Sequence, residues 1–201
     1  NKEVMTLIIA VAILSIPCIV SALLMVEIPI DAKITIMKVK ENNCTFNGGL
    51  TQGAEYTNGQ YTYRYKQERT TNGWQDLEED GWGMALTDRD STDPVTSKMC
   101  TSINNVPVLS MNCAFNKSKT SSIDLSSFNT SKVIHMGGLF GQAFSGADSI
   151  EIIDLKYLDT SNVTTFSGIF ANFATGATAP LDIDLTNWDV SSVTDVANAF
   201  T

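Results

Sequence analysis

Three aspartates recur at the same place in three similar segments, and their carboxylates are the first groups in the sequence that could bind a ligand. Asp124, Asp154 and Asp184 each stand between two apolar residues, as in Ile123-Asp124-Leu125. Alternate side chains of a strand point to opposite faces, so the aspartates are expected to point outward. If the segments stack about 5 Å apart, the carboxylates repel one another, and a cation or a basic partner would relieve this. Otherwise they are solvated or accept backbone N–H bonds at turns.

A second acidic group lies in the polar loop over residues 87–94. Asp88, Asp90 and Asp93 place three carboxylates in one loop, which loosely resembles a calcium loop. The loop lacks the glycine and the distal glutamate of an EF-hand, and Asp93-Pro94 is an ordinary turn former. These aspartates are therefore weak candidates, and the sequence predicts no metal site and no cofactor.

Tyrosines and tryptophans are concentrated in the segment before residue 107. Trp74 and Trp82, together with several tyrosines, could offer an aromatic face to a sugar or a peptide. The alternative is that these rings form the core of a small β region, because large aromatic side chains dominate the energetics of cores.

Nothing in the sequence points to catalysis. His135 is the single histidine, and its spacing implies no nucleophile partner, so a catalytic triad is not predicted. The formal net charge of −9 argues against a nucleic-acid partner, because such binding requires lysine and arginine to displace phosphate counterions. The sequence therefore predicts a protein that is not an enzyme.

Four cysteines limit the covalent cross-links of the chain. Cys18 lies in an apolar run and is poorly placed to meet the others. Cys44, Cys100 and Cys113 can form at most one disulfide and leave one thiol free, and all three pairings stay open.

The N-terminal segment has the length of a membrane span. Residues 4–26 form 23 consecutive uncharged residues, and a helix of that length, about 34 Å, would cross a hydrocarbon core of about 30 Å. Pro17 is expected to kink such a helix, which membrane helices tolerate. We therefore predict a transmembrane anchor in contact with membrane lipid, while a cleaved signal peptide is the alternative.

A second alternative is a pilin-like subunit. Asn1 cannot be an initiator residue, and a processed N-terminus before an apolar helix is typical of type IV pilins. Those proteins have a glutamate at the fifth position, whereas here Glu3 is acidic and Met5 is fifth. In this alternative the chain self-assembles into a filament through its apolar helix.

Alternation and turn signals predict strands before residue 107. Residues 28–40 approach alternation and predict a strand. Asn58-Gly59 lies between two aromatic, threonine-rich segments and predicts a hairpin over about 55–65.

The strongest signal is an internal repeat after residue 107. The Ile-Asp-Leu segments at 123–125, 153–155 and 183–185 are each followed by a Ser-containing turn and a phenylalanine, and the period is 30 residues. The closing phenylalanines are Phe140, Phe170 and Phe200, and a partial unit at 108–115 ends on Phe115. Repeats of this size bury their apolar side chains by stacking on neighbours.

The pattern within one unit predicts a short strand followed by a short helix. Val133, Met136, Leu139 and Phe140 fall on one helical stripe. Ser131 and its equivalents in the next two units are placed as helix N-caps.

The units resemble the BspA-like leucine-rich repeat. The residues that carry the resemblance are IDLSSFNTSKVIHMGGLF, IDLKYLDTSNVTTFSGIF and IDLTNWDVSSVTDVANAF, and the likeness extends over about residues 44–201. The resemblance implies a surface protein of gut-dwelling Gram-positive bacteria, with adhesion as the usual role. It supplies no ligand.

The sequence thus predicts an α/β repeat solenoid of the leucine-rich-repeat type, preceded by a small β-rich region and an N-terminal transmembrane helix. The expected domains are an anchor over 1–30, a β-rich linker over 31–107 and about three and a half repeats over 108–201. The expected function is binding of an extracellular protein or glycan at the outer face of the cell membrane. Further repeats, or a terminal cap, are expected after Thr201.

Overall fold

The computed structural model describes residues 40–144, 151–153, 155–176 and 183–201. All of them lie in one compact unit, Val39–Thr201. The apolar segment 4–26, most of the strand predicted over 28–40, and Asp154 lie outside the described residues. Within the described part, no helix has the length and hydrophobicity needed to cross a bilayer.

The described residues form ten short strands and one 3₁₀ helix. The strands are β1 (Asn43–Cys44), β2 (Glu55–Asn58), β3 (Tyr61–Tyr65), β4 (Gln67–Arg69), β5 (Trp74–Asp76), β6 (Trp82–Leu86), β7 (Ser102–Ile103), β8 (Val106–Ser110), β9 (Ser122–Asp124) and β10 (Glu151–Ile153), and the 3₁₀ helix is Leu155–Tyr157.

Six strands form the main sheet in the order β1-β7-β8-β6-β3-β2. β8 pairs in parallel with β6, whereas β3 pairs antiparallel with both β6 and β2. β4 and β5 form a separate antiparallel hairpin, and β9 pairs in parallel with β10. The main sheet therefore supports both the β4–β5 hairpin and the first repeat unit.

The hairpin predicted over 55–65 is confirmed, with its turn moved by one residue. β2 pairs with β3, and Asn58 lies opposite Tyr61. The two loop residues are thus Gly59 and Gln60, not Asn58 and Gly59. A glycine at the first position of a two-residue loop is typical of a type II′ turn.

The predicted α/β repeat solenoid is wrong, because the described residues contain no α-helix. In place of the predicted repeat helices the chain forms consecutive turns, and the leucine-rich-repeat description does not hold. The transmembrane helix predicted together with that fold falls on residues 4–26, outside the described part.

The consecutive turns lie over 112–117, 137–144, 167–176 and 197–200, and we call them the turn ribbons. Within a ribbon, alternate N–H groups bond three residues back, as Leu139 N does to Met136 O at 3.3 Å. The intervening N–H groups bond to the next unit, as Gly138 N does to Ser167 O at 2.7 Å and Phe140 N to Ile169 O at 2.9 Å. Since an α-helix keeps all of these bonds within itself, the observed pattern is a different structure that ties one unit to the next.

The phenylalanines that close the units lie on top of one another. The ring centroids of Phe115 and Phe140 are 5.5 Å apart, as are those of Phe140 and Phe170. Phe200 continues the stack at 5.6 Å from Phe170. The 30-residue period of the sequence therefore corresponds to a physical stacking of successive units.

The residues predicted as helix N-caps occupy turns of another kind. Ser131 N donates to Asn129 Oδ1 at 3.2 Å, and Ser161 N donates to Asp159 Oδ1 at 3.1 Å. The capping side chain is thus the Asn or Asp two residues earlier. Such Asx turns stabilise local bends without a helix.

A glycine in β6 lets the β4–β5 hairpin pack closely over the main sheet. A side chain at Gly83 would overlap the backbone of Gln67 and Glu68. This close approach brings Glu68, which is only 6% exposed, over the junction between the sheet and the first repeat unit.

Candidate functional site

A half-open groove of about 340 Å³ lies between the β4–β5 hairpin and the turn ribbons. Arg69, Thr70, Thr71 and Gln75 form the hairpin side. The ribbon side comes from three successive units, and it is lined by Asn112, Cys113, Asn116, Gly137, Gly138, Gly141, Gln142, Ser167, Gly168 and Ala171. The groove is thus lined mainly by polar residues and glycines from segments that are distant in the sequence.

Arg69 gives the groove a positive charge. Its guanidinium lies 5.7 Å from the centroid of the Trp74 ring, and the Arg64 guanidinium lies 5.2 Å from the same centroid. Arg64 is also paired with Glu55 at 2.7 Å. Among the described residues Arg69 has no ion-pair partner, so its charge is available to a ligand.

A second arginine reinforces this charge behind Cys113. Arg89 Nη2 donates to the Cys113 carbonyl at 2.8 Å, while Arg89 Nε is buried without a hydrogen-bond partner in the described residues. Burial lowers the pKa of the Arg89 guanidinium to about 10, which leaves it charged at neutral pH. Burial also raises the pKa of the Cys113 thiol, and the nearby Thr71, Arg89 and Arg69 offset this only in part. Cys113 is therefore a neutral thiol at physiological pH.

Two asparagines on the ribbon side supply neutral hydrogen-bonding groups. Asn116 is 4% exposed, and its side chain lies against Gly141. Its Oδ1 has no donor among the described residues, and the same holds for Asn112 Oδ1. Such unpaired buried acceptors are costly, which makes them candidates for contact with a ligand or water.

A buried ion pair supports the groove from behind. Glu68 Oε2 lies 2.8 Å from His135 Nδ1 and accepts hydrogen bonds from Ser110 Oγ and Asn112 Nδ2, each at 2.9 Å. Gln75 Nε2 donates to Glu68 Oε1 at 2.7 Å. Because Asn112 and Gln75 also line the groove, Glu68 fixes the position of side chains on both of its walls.

The protonation of this pair follows from its contacts. The hydrogen bond to Glu68 raises the pKa of His135, although burial works in the opposite direction. Burial raises the pKa of the Glu68 carboxyl, but the hydrogen bonds from His135, Gln75 and Ser110 together outweigh it and leave the pKa below its usual value. The geometry therefore favours a protonated imidazole beside a carboxylate.

The side chains of two of the repeated aspartates, Asp124 and Asp184, stabilise turns by accepting backbone hydrogen bonds. Ser126 N donates to Asp124 Oδ1 at 2.9 Å, and Thr186 N donates to Asp184 Oδ1 at 3.0 Å. This is the turn-forming alternative that the sequence left open for these two residues. Asp154 lies outside the described residues.

The carboxylates of two loop aspartates, Asp88 and Asp90, are likewise engaged in local contacts. Asp88 Oδ1 accepts hydrogen bonds from the backbone N–H groups of Asp90 and Ser91. Asp90 pairs with Lys119 at 2.6 Å. In the described residues no group of three His, Cys, Asp or Glu side chains is placed to hold a metal ion.

The two candidate tryptophans have different surroundings. Trp82 is 0% exposed and belongs to the core, whereas Trp74 is half-buried beside the groove arginines. Among the cysteines, Cys44 forms a disulfide with Cys100, and Cys113 is free.

Sequence reasoning missed Glu68, Arg69 and Arg89 as site residues. The Glu68 and His135 positions are 67 residues apart, and no motif connects them. The one nearby residue that the sequence had indicated as a candidate is Trp74, whose ring lies beside the Arg69 guanidinium.

One known protein family matches more than half of the chain. Residues 91–201 match the family described as Mycoplasma protein of unknown function, DUF285. The chain belongs to the DUF285 family. No curated protein and no solved structure matches it at a significant level.

The DUF285 match divides the groove. It contains the ribbon wall, including Asn112, Cys113 and Asn116, whereas Arg69 and Gln75 precede residue 91. The hairpin wall of this DUF285 protein is therefore contributed by the part of the chain outside the family match.

Proposed function

We propose that this protein is a binding protein of the cell surface, which recognises an extracellular protein or glycan through the groove. The groove is the observation that carries the proposal. Its volume of about 340 Å³ falls in the range of about 300–1,000 Å³ typical of small-ligand sites. Its charged and amide side chains converge from two walls, which is typical of a site that orients a polar ligand.

Two features of the sequence support the location at the surface. The repeats are similar to those of BspA-like surface proteins, for which adhesion is the usual role. The apolar segment 4–26 is long enough to hold the protein at a membrane. The protein would then present residues 40–201 outside the cell.

The contacts of the Glu68–His135 pair support a recognition site, because they fix side chains of the groove walls. Here His135 Nδ1 is hydrogen-bonded to Glu68, whose remaining contacts are to Ser110, Asn112 and Gln75. This arrangement organises the groove walls.

The proposal is tested by arrays of extracellular matrix proteins and glycans, probed with the fluorescently labelled full chain in nonionic detergent. The Ala171→Phe variant places a large ring in the groove and is expected to reduce binding at least tenfold. Ala197→Phe is the matched control, because Ala197 is exposed and does not line the groove. Melting temperatures of both variants establish that each is folded.

Three outcomes would contradict the proposal. Either the chain binds no partner on the protein and glycan arrays, or a partner is bound equally by Ala171→Phe, Ala197→Phe and the unaltered chain. Filaments of this chain, released from cells by shear, would instead favour a pilin-like subunit.

A further inference from the structure

We infer that the groove binds a carboxylate-bearing sugar and that the guanidinium of Arg69 holds the carboxylate. This inference rests on the proposed function and names the chemical class of its ligand. It is carried by three properties of the groove: an uncompensated positive charge, neutral groups suited to hydroxyls, and a small volume.

The charge of the groove calls for an anion. Arg69 is half-buried, and among the described residues it has no carboxylate partner, whereas Arg64 beside the same ring is paired with Glu55. None of the described lining residues is acidic. A guanidinium binds a carboxylate through two parallel N–H···O bonds, which gives both affinity and orientation.

The neighbouring charges leave this site positive. Arg89 lies behind Cys113 and also has no ion-pair partner in the described part. Glu68 is negatively charged, but its carboxylate is already hydrogen-bonded to the side chains of His135, Ser110, Asn112 and Gln75. The chain as a whole carries −9, but charges more than about 8 Å away are largely screened at physiological salt.

The neutral lining residues match the hydroxyl groups of a sugar. Gln75, Asn112, Asn116, Thr70 and Ser167 present amide and hydroxyl groups on both walls. Asn116 also lines the groove, and its buried Oδ1 lacks a donor among the described residues. Buried amides that remain unpaired without a ligand are a source of specificity, because a ligand lacking the matching group leaves them unsatisfied.

The same lining argues against an acidic peptide. Many peptides are held by apolar or aromatic anchors that are buried in pockets. Ala171 is the only aliphatic hydrocarbon side chain among the described lining residues. A volume of about 340 Å³ is at the small end of ligand sites, which suits a sugar unit with one carboxylate.

The test compares a tetrasaccharide of glucuronic acid with the glucose tetrasaccharide of the same linkage, by isothermal titration calorimetry on the full chain in nonionic detergent. The two probes differ only at the C6 carbon of each sugar unit, which is a carboxylate in one and a hydroxymethyl group in the other. We expect the acidic probe to bind at least tenfold more tightly, and Arg69→Gln to abolish that preference. Arg64→Gln is the matched control and is expected to leave it unchanged, because Arg64 contacts the same Trp74 ring but does not line the groove.

The position of the bound sugar is measured through Cys113. In a Cys18→Ser background, the acidic probe is expected to slow the alkylation of Cys113 by iodoacetamide at least threefold, since the thiol lies in the groove wall. An acetylated tetraglutamate peptide serves as the second acidic probe, and it is expected to bind at least tenfold more weakly than the acidic sugar.

Equal binding of the two tetrasaccharides overturns the role of the carboxylate. Tighter binding of the tetraglutamate peptide overturns the sugar class. If the full chain binds a partner on the arrays, and Ala171→Phe abolishes that binding while Arg69→Gln does not affect it, the inference fails and the proposed function stands.

Discussion

Glu68 shows most clearly how single residues decide this site. It is a nearly buried carboxylate, and burial of an unpaired charge would be prohibitively costly. Donors from four residues surround it, and they come from the β4–β5 hairpin, the end of β8 and the first complete repeat unit. Glu68 therefore joins three parts of the chain and explains why the two groove walls have a fixed spacing.

The Glu68–His135 pair makes stability depend on pH in a defined way. The raised pKa of His135 means that its contribution is complete below the usual histidine value of 6.5 and is lost as the pH rises through the folded-state value. The lowered pKa of Glu68 means that its contribution is complete above the usual value of 4.5 and is lost as the pH falls through the folded-state value. We expect the contribution of the pair to be largest between these two values. Urea unfolding at a series of pH values measures it.

The variant His135→Gln isolates this effect. It removes the imidazolium but leaves Glu68 bonded to Ser110, Asn112 and Gln75. At pH 5.5 we expect a loss of about 1.5–3 kcal/mol, the value of a hydrogen bond to a charged group, and a smaller loss at pH 8.5. Equal losses at both pH values would show that the pair is not ionised in the folded protein.

This pair also shows why the candidate site was hard to predict from the sequence. Hairpins and repeats are local or periodic, so their signals are visible in a single chain. The partners of Glu68 and the walls of the groove are brought together only by the packing of the β4–β5 hairpin over Gly83. The sequence identified Trp74 as a candidate, but nothing near it indicated which charged residue it would accompany.

At the scale of the element, the predicted helix failed for a physical reason. The apolar stripe Val133, Met136, Leu139 and Phe140 is buried, as a helix would require. Consecutive turns closed by bonds from residue i to i−3 repeat with a similar spacing, so the same stripe fits the turn ribbon. What separates the two structures is backbone conformation, since Gly138 has φ of 59° and Gln142 has φ of 56°. An α-helix requires negative φ throughout.

Alanine substitutions of Gly138 and Gly168 distinguish the two structures. In a helix, Gly→Ala would stabilise the protein by about 0.5–1 kcal/mol. In the turn ribbon both glycines have positive φ, 59° and 63°, so each substitution is expected to destabilise the protein by about 1–2 kcal/mol. Urea unfolding of the two variants provides the measurement.

The two positions also control for each other. A Cβ at Gly138 would lie 2.9 Å from Cys113 Sγ, whereas a Cβ at Gly168 would meet its nearest atom at 3.7 Å. Gly138→Ala is therefore expected to be the more destabilising of the two. A stabilising effect at either position would refute the turn ribbon.

At the scale of the whole molecule, one core extends from the main sheet to the last described unit. Tyr61 of β3 contacts Phe115 and Phe128, with ring centroids 6.4 and 5.8 Å apart, and Phe115 begins the stack of phenylalanines. The sheet thus covers one end of the repeat stack, where the first unit would otherwise expose its apolar face. The sequence predicted that the units stack, but it gave no signal for this continuous packing, because the contacting aromatic residues lie in different segments.

The disulfide is expected to stabilise this unit by constraining the unfolded chain. Cys44 and Cys100 are separated by 56 residues, and closing a loop of that length corresponds to about 4 kcal/mol in the chain-entropy description. The double variant Cys44→Ser, Cys100→Ser is therefore expected to lose about 2–5 kcal/mol in urea unfolding. Cys113→Ser is the control, because this free thiol makes no cross-link; a comparable loss in the control would show that the effect does not come from the cross-link.

A shared core also predicts that the sheet and the repeats unfold together. Trp82 lies in the sheet core, and Trp188 stacks on Phe166 at 5.0 Å in the last unit, so the two rings report on opposite ends of the chain from residue 40 onward. Incorporation of 5-fluorotryptophan makes both visible by fluorine NMR without a substitution, and Trp→Phe variants assign the signals. We expect the two folded signals to disappear at the same urea concentration, because the phenylalanine stack transmits the loss of packing from unit to unit. A lower midpoint for Trp188 would mean that nearest-neighbour contacts alone hold the last unit, as in repeat proteins that unfold from their ends.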